Sequence, residues 1–395
     1  MKKVQMACVI VILALVTLTF ITETAVANPY SRWDSLYAYM GENYDSAVEG
    51  GYSVPDSEAS RLYPTYGGAT ALNERGMMAY RPPVVDLVKM KNFTRKLQWR
   101  SGGEEYDRYG GFSLFIAGSV SMENSYYGVK LWQLLDEHND VPGMTGIEIL
   151  NATAAMIFLN KTQSSSGGFG TFENTAPDIV STFQALYIMD YMTQISDEIM
   201  SDWLWNETAT IEWILSCRDG SAFKLSPSSE IRSISATAAA LMALDVLGEL
   251  DARIPVADQQ DMRNWILDLQ DTGFQESILT NDTNLISTYH AFEALEILGG
   301  MPAVDGDAAS RFILDCQAAD GSWGIVPGLE TGTLFNAGLA LEALRMLDPS
   351  GTYSNMILEE DPNNPAPPIF DWRLLLVAVI FIVAIAVAFL ALRMD

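Results

Sequence analysis

Histidine and cysteine are scarce in this chain, with two of the first and three of the second among 395 residues. Any metal or nucleophile site built on those types must draw on His138, His290, Cys8, Cys217 and Cys316. Positive charge is short as well. Lys and Arg number 23 against 50 Asp and Glu, a net charge of -27. A nucleic-acid partner, which needs a basic footprint, is excluded on that ground, and the acidity suits a solvated surface protein or a salt-rich habitat. Long apolar runs are confined to the two ends, while hydrophobic residues at 49% of the chain supply ample material for one large core.

At the front, Lys2 and Lys3 precede an apolar run from Met6 to Ile21, and Ala25-Val26-Ala27 offers the small residues that a signal peptidase requires. Residues 1–27 are expected to be a signal peptide, removed together with Cys8; an uncleaved anchor would show the same run. At the back, the acidic, proline-rich stretch from Glu359 to Pro368 cannot build a core. Leu374 to Leu392 then gives 19 apolar residues, enough to span a bilayer, with Trp372, Arg373 and Arg393 at its ends. We expect a linker over 353–371 and a transmembrane helix over 372–393. The C-terminus would be cytoplasmic and residues 28–352 extracytoplasmic, anchored at the cell membrane. Five Asn-x-Thr sequons agree with that side and are candidate glycosylation sites: Asn92, Asn151, Asn160, Asn206 and Asn281.

Between the ends, a turn carrying an aromatic residue recurs six times, at Tyr52, Phe112, Phe169, Phe223, Phe274 and Trp323, with spacings of 49 to 60 residues. Apolar residues at helical intervals flank it. Phe312, Ile313 and Cys316 lead into the last turn, and Ala340, Leu341, Leu344 and Leu347 follow it, so each repeat reads as helix, turn, helix. Neither helix could bury its apolar face alone, and the copies should stack. First helices are expected near residues 32–44, 85–97, 147–159, 203–217, 262–269 and 308–316. Cys217 and Cys316 end two of these, two repeats apart, too distant to bridge. The second lies within a basic insertion from Asn73 to Arg100, which reads as a packed amphipathic element or as a face for anionic lipid.

Three columns keep register with the turn aromatics. Thirteen or fourteen residues on stand Thr65, Ser125, Thr182, Thr237, Thr288 and Ala337. Their hydroxyls, near the start of each second helix, read as caps. Three residues further come Gly68, Gly128, Ala185, Ala240, Ala291 and Ala340. These small residues are expected where second helices of neighbouring repeats touch. Four beyond them the residue is always large and apolar, from Leu72 to Leu344.

The segment from Ala309 to Trp323 resembles the QW motif of squalene and terpenoid cyclases in Ala309, Phe312, Ile313, Gln317, Gly321 and Trp323, departing from it at Ala308, where the family usually has Lys or Arg. The third repeat, Gly167-Gly168-Phe169-Gly170 followed by Pro177 to Leu186, is similar to a protein prenyltransferase β-subunit repeat. The resemblance implies an all-α fold over residues 28–352: an α/α toroid of six helix pairs, with six inner helices around a cavity and six outer helices returning outside them.

The chemistry of those families is not carried over with the fold. Protein prenyltransferases hold zinc through an Asp, a Cys two residues later and a His from a later inner helix. The resemblance places Pro177, Ile179 and Ser287 at those positions, and none is a ligand. The Asp-x-Asp-Asp acid of the cyclases is absent, as is the thioester motif of complement-like toroids. No cofactor or metal is expected. Asp178 and His290 are the first candidates for a divergent catalytic site, Asp178 reading otherwise as a helix cap and His290 as a packed or cavity-lining residue. His138 reads as solvated.

The residue after the hydroxyl column is aromatic in four repeats, Tyr66, Tyr126, Phe183 and Tyr289, and either lines the cavity or packs against the outer helices. With Gln184 and His290, one position further, these four are the candidate ligand cavity. The reading that follows is a membrane-anchored binding module for an isoprenoid-like lipid or a protein. The alternative is a prenyltransferase or terpene-cyclase-type enzyme with a divergent active site.

Overall fold

The computed structural model describes residues 30–363 except 46–48, 56, 58, 79–84, 105, 139–140, 281 and 349. The signal peptide and transmembrane helix expected from the sequence lie outside the described residues. Within these, no helix is long and apolar enough to cross a membrane. Residues 32–359 form one compact unit, and outside it Ser31 and Glu360 pair as a single antiparallel bridge.

Among the described residues, twelve long helices alternate between outer and inner positions. The outer helices are α1 (Arg32–Asn43), α3 (Leu87–Leu97), α5 (Ala152–Thr162), α7 (Glu207–Ser216), α9 (Val256–Leu267) and α11 (Gly306–Asp315). The inner ones are α2 (Leu62–Glu74), α4 (Met122–Asp136), α6 (Ile179–Ile195), α8 (Ile234–Val246), α10 (Leu285–Ile297) and α12 (Leu334–Leu347). Each inner helix packs on the next, and α12 packs on α2, so the ring closes. The inner helices have little amphipathic contrast because outer helices cover one side and other inner helices the rest. The expected start near residue 147 is late by five, since Asn151 caps α5 with a bond from the Ala154 amide.

Three repeated devices hold the ring. First, the hydroxyl column does not cap helices. Thr182 Oγ1 accepts from the Phe169 amide at 3.0 Å and donates to the Asp178 carbonyl at 2.7 Å. Thr65, Ser125, Thr237 and Thr288 bond the amides of Tyr52, Phe112, Phe223 and Phe274 in the same way. The true caps stand four residues earlier, at Ser121, Asp178, Ser233, Asn284 and, for α12, Thr333. Second, the two glycines of the small column seat the turn aromatic of their own repeat. A Cβ on Gly68 would lie 2.6 Å from the Tyr52 ring, and one on Gly128 2.3 Å from the Phe112 ring. Third, a glutamine at an outer-helix end bonds the backbone at the start of the next outer helix. Gln98 reaches Asn151, Gln270 reaches Asp305, and Gln317 reaches the Arg32 carbonyl at 2.9 Å, joining the last repeat to the first.

The closing contact is tight. A Cβ on Gly67 would sit 2.0 Å from the Leu334 carbonyl oxygen, and one on Gly338 would sit 2.7 Å from the Gly67 Cα. Helices α2 and α12 thus approach backbone to backbone. The basic insertion is a packed element where it is described. Lys91 is buried against the Trp132 ring and bonds Asp136 at 2.6 Å, while Arg95 and Arg100 pair with Glu148. Cys217 and Cys316 are free and buried, each thiol pushed up to about 12 by burial.

Candidate ligand chamber

Inner helices α4, α6, α8, α10 and α12 enclose a chamber of about 150 Å³. Each presents one stripe at helical spacing, such as Glu123, Tyr127 and Lys130 on α4 or Ile286, Tyr289 and Glu293 on α10. None of the lining residues comes from α2. The glycine contact draws α2 onto α12, and its rings fill that side: Tyr63 meets Phe335 at 5.4 Å and Tyr66 meets Tyr127 at 5.1 Å between centroids.

The column that contains His290 faces the chamber. Tyr127, Gln184, Ala239, His290 and Leu339 all line it, while the sixth member, Gly67, is spent on the closing contact. Of the residues expected from the sequence, Tyr126, Phe183, Gln184, Tyr289 and His290 lie on its wall, and Tyr66 stacks just outside it. Asp178 is not at the chamber. It caps α6, accepting from the Ser181 amide at 2.8 Å and the Ser181 hydroxyl at 2.7 Å. His290 is held by Glu293, with Nδ1 to Oε2 at 2.7 Å. His138 is half-buried, its ring 3.1 Å from Asn73 Oδ1.

Three charged lining residues were missed from sequence, Glu123, Lys130 and Glu293, and a fourth charge, Glu342, acts on the chamber from beside it. Lys130, Glu293 and Glu342 each stand five residues after their repeat's member of the hydroxyl column, and a charge at a fixed level inside an apolar helix was the available signal. Lys130 is enclosed, with its ammonium 5.6 Å from the centroids of the Tyr66 and Tyr126 rings. Burial is the largest single influence and lowers its pKa, but Glu342 together with Tyr126, Tyr289 and Tyr66 outweighs it and holds the ammonium well above the usual lysine value. Burial pushes Tyr126, Tyr127 and Tyr289 well above the ordinary phenol value, so all three stay neutral at physiological pH.

The zinc set of the prenyltransferases does not fit these residues. At its positions Ile179 is core, and the Ser287 hydroxyl bonds Glu276 at 2.6 Å and Asn284 at 2.8 Å. Among the described residues no three His, Cys, Asp or Glu side chains converge as a metal site. The sequon asparagines are partly occupied in the fold: Asn151 and Asn206 cap helices, Asn92 bonds the Val88 carbonyl and Asn160 that of Trp203. Asn281 lies outside the described residues.

A closed ring of inner helices wrapped by outer helices defines an α/α toroid. The chain belongs to the prenyltransferase alpha-alpha toroid domain family, whose model matches residues 5–207 and 184–361. A protein geranylgeranyltransferase-I from Candida albicans, solved with GGPP, superposes with a TM-score of 0.58 at 16% identity, over 78% of this chain and 88% of its own. A type II terpene cyclase from Scytonema, solved with geranylgeranyl dihydroxybenzoate, gives 0.49 at 11% identity, over 80% and 97%. A protein from Actinoplanes gives 0.47 at 12% identity, over 80% and 98%. At these identities the likeness establishes the fold alone. No curated protein matches the chain.

Proposed function

We propose that this chain is a membrane-anchored, extracytoplasmic binding module whose toroid holds a small ligand and carries out neither prenyl transfer nor terpene cyclisation. The observation that carries this reading is the chamber itself. At about 150 Å³ it matches a cavity that takes one benzene-sized guest, and it is about half the roughly 300 Å³ at which pockets for drug-sized ligands begin. A farnesyl or geranylgeranyl chain is larger than that. It would have to displace Tyr126, Tyr127 and Phe335, which interlock at 5.0 Å between ring centroids. The apolar runs at residues 6–21 and 374–392 support the location and the anchor.

The test uses the full chain in a maltoside detergent, incubated with farnesyl and geranylgeranyl diphosphate, with a thiol peptide as prenyl acceptor. We expect no prenylated peptide, no cyclised product, and a native mass spectrum free of isoprenoid adducts. Turnover of either diphosphate would reject the module reading. It would send the search to His290 and Glu293, the titratable pair on the chamber wall.

A further inference from the structure

The chamber wall carries both signs of charge with aromatic rings between them. Lys130 contributes an ammonium, Glu123 and Glu293 contribute carboxylates, and the contact with His290 engages one oxygen of Glu293. Tyr126, Tyr127 and Tyr289 stand in the field of Lys130 and Glu293. Tyr126 and Tyr289 are 6% and 4% exposed, and among the described residues neither hydroxyl has a protein hydrogen-bond partner. A hydroxyl that faces the chamber without a protein partner is satisfied by water or by a polar guest.

The sign of that guest follows by elimination. A simple anion would meet the Glu123 and Glu293 carboxylates, and a simple cation, though drawn to them, would be opposed by the Lys130 ammonium on the same wall. A neutral apolar guest would leave both tyrosine hydroxyls unpaired. A zwitterion satisfies all of them. Its alkylated ammonium would be taken up by the lining rings Tyr127, Phe183 and Phe335 and by the carboxylates on the same wall, as quaternary ammonium groups are in aromatic cages. Its carboxylate meets Lys130 and the tyrosine hydroxyls.

We propose that the chamber binds a small zwitterion of the betaine type, with an alkylated ammonium and a carboxylate separated by one or two carbons. This rests on the binding-module reading above and names its ligand.

Three probes of nearly one shape decide it: glycine betaine, tetramethylammonium, and 3,3-dimethylbutanoate, which keeps the carboxylate and replaces the ammonium by carbon. Titration calorimetry on the full chain in maltoside should show betaine binding at least roughly tenfold more tightly than either other probe. Lys130→Met should erase the advantage over tetramethylammonium. Glu293→Gln should shrink the advantage over 3,3-dimethylbutanoate, with Glu123 left as the remaining lining carboxylate. If a variant does not fold, the wild-type ranking alone decides. A single-sign probe that binds as tightly as betaine overturns the proposal, as does the absence of binding by all three. Either result leaves the module reading standing, since only turnover of a prenyl diphosphate removes that.

Discussion

Thr182 shows how one side chain ties a turn to a helix. Its hydroxyl is fully buried, accepts from the Phe169 amide and donates to the Asp178 carbonyl. Thr182→Val keeps the shape but leaves the Phe169 amide buried without a partner, at a cost of about 1–3 kcal/mol. Thr182→Ser retains the hydroxyl and should cost much less, and denaturant midpoints of the two variants against wild type check the contrast. The column was legible in sequence, but its task was not. Serine and threonine serve equally as caps and as tethers, and only the structure shows that capping falls four residues earlier, where Ser121, Asp178, Ser233 and Asn284 share no single residue type. The chamber charges were hidden for a similar reason. Lys130, Glu293 and Glu342 occupy one level in three repeats, while Thr70, Tyr187 and Met242 stand at that level in the others, so a search for repeated chemistry passes over them.

At the scale of helices, periodicity located each pair because an apolar stripe has to recur every three to four residues whatever it packs on. It could not say which side faces the centre, since helices buried on all sides carry apolar residues around their whole circumference. Gly67 is the position where this matters. It belongs to the same column as His290 and Tyr127, yet it faces a helix backbone instead of the chamber. Alanine is the better helix former by about 1 kcal/mol, but the new Cβ would lie 2.0 Å from the Leu334 carbonyl oxygen and 2.5 Å from the Phe335 Cα. The helices must separate, and overpacking of this kind costs about 1–3 kcal/mol. Gly67→Ala should therefore lower the melting temperature in spite of its propensity, and should weaken chamber ligands by moving Phe335. Gly146→Ala, where nothing lies within 4 Å of the added carbon, is the neutral control. A Gly67→Ala variant as stable as wild type would show that α2 and α12 do not meet this closely.

For the molecule as a whole, stability depends on joining the two ends of the helix ring, and one titratable group at that join reports on it. Glu74 of α2 pairs with Arg345 of α12 at 3.1 Å, with the Glu74 side chain 13% exposed. Burial raises its pKa above the ordinary 4.5, Arg345 offsets part of this, and the Glu342 charge adds to the rise. A carboxyl whose folded pKa exceeds its unfolded one binds more protons in the native state. Its contribution to stability is full below about pH 4.5 and is lost as pH climbs through the folded value. Glu74→Gln fixes the neutral state in both forms. Its melting temperature should match wild type in acid and rise above it from about pH 4.5 upward. The variant also trims the net charge of -27 by one, which relieves self-repulsion slightly. Glu296→Gln makes the same change at an exposed position on α10 and isolates that effect. Divergence in the Glu74 variant alone places the protonation-sensitive carboxyl at the closing contact of the ring. Parallel curves for the two variants, or a Glu74→Gln protein that melts lower than wild type at neutral pH, would mean that the ion pair with Arg345 outweighs the burial of Glu74.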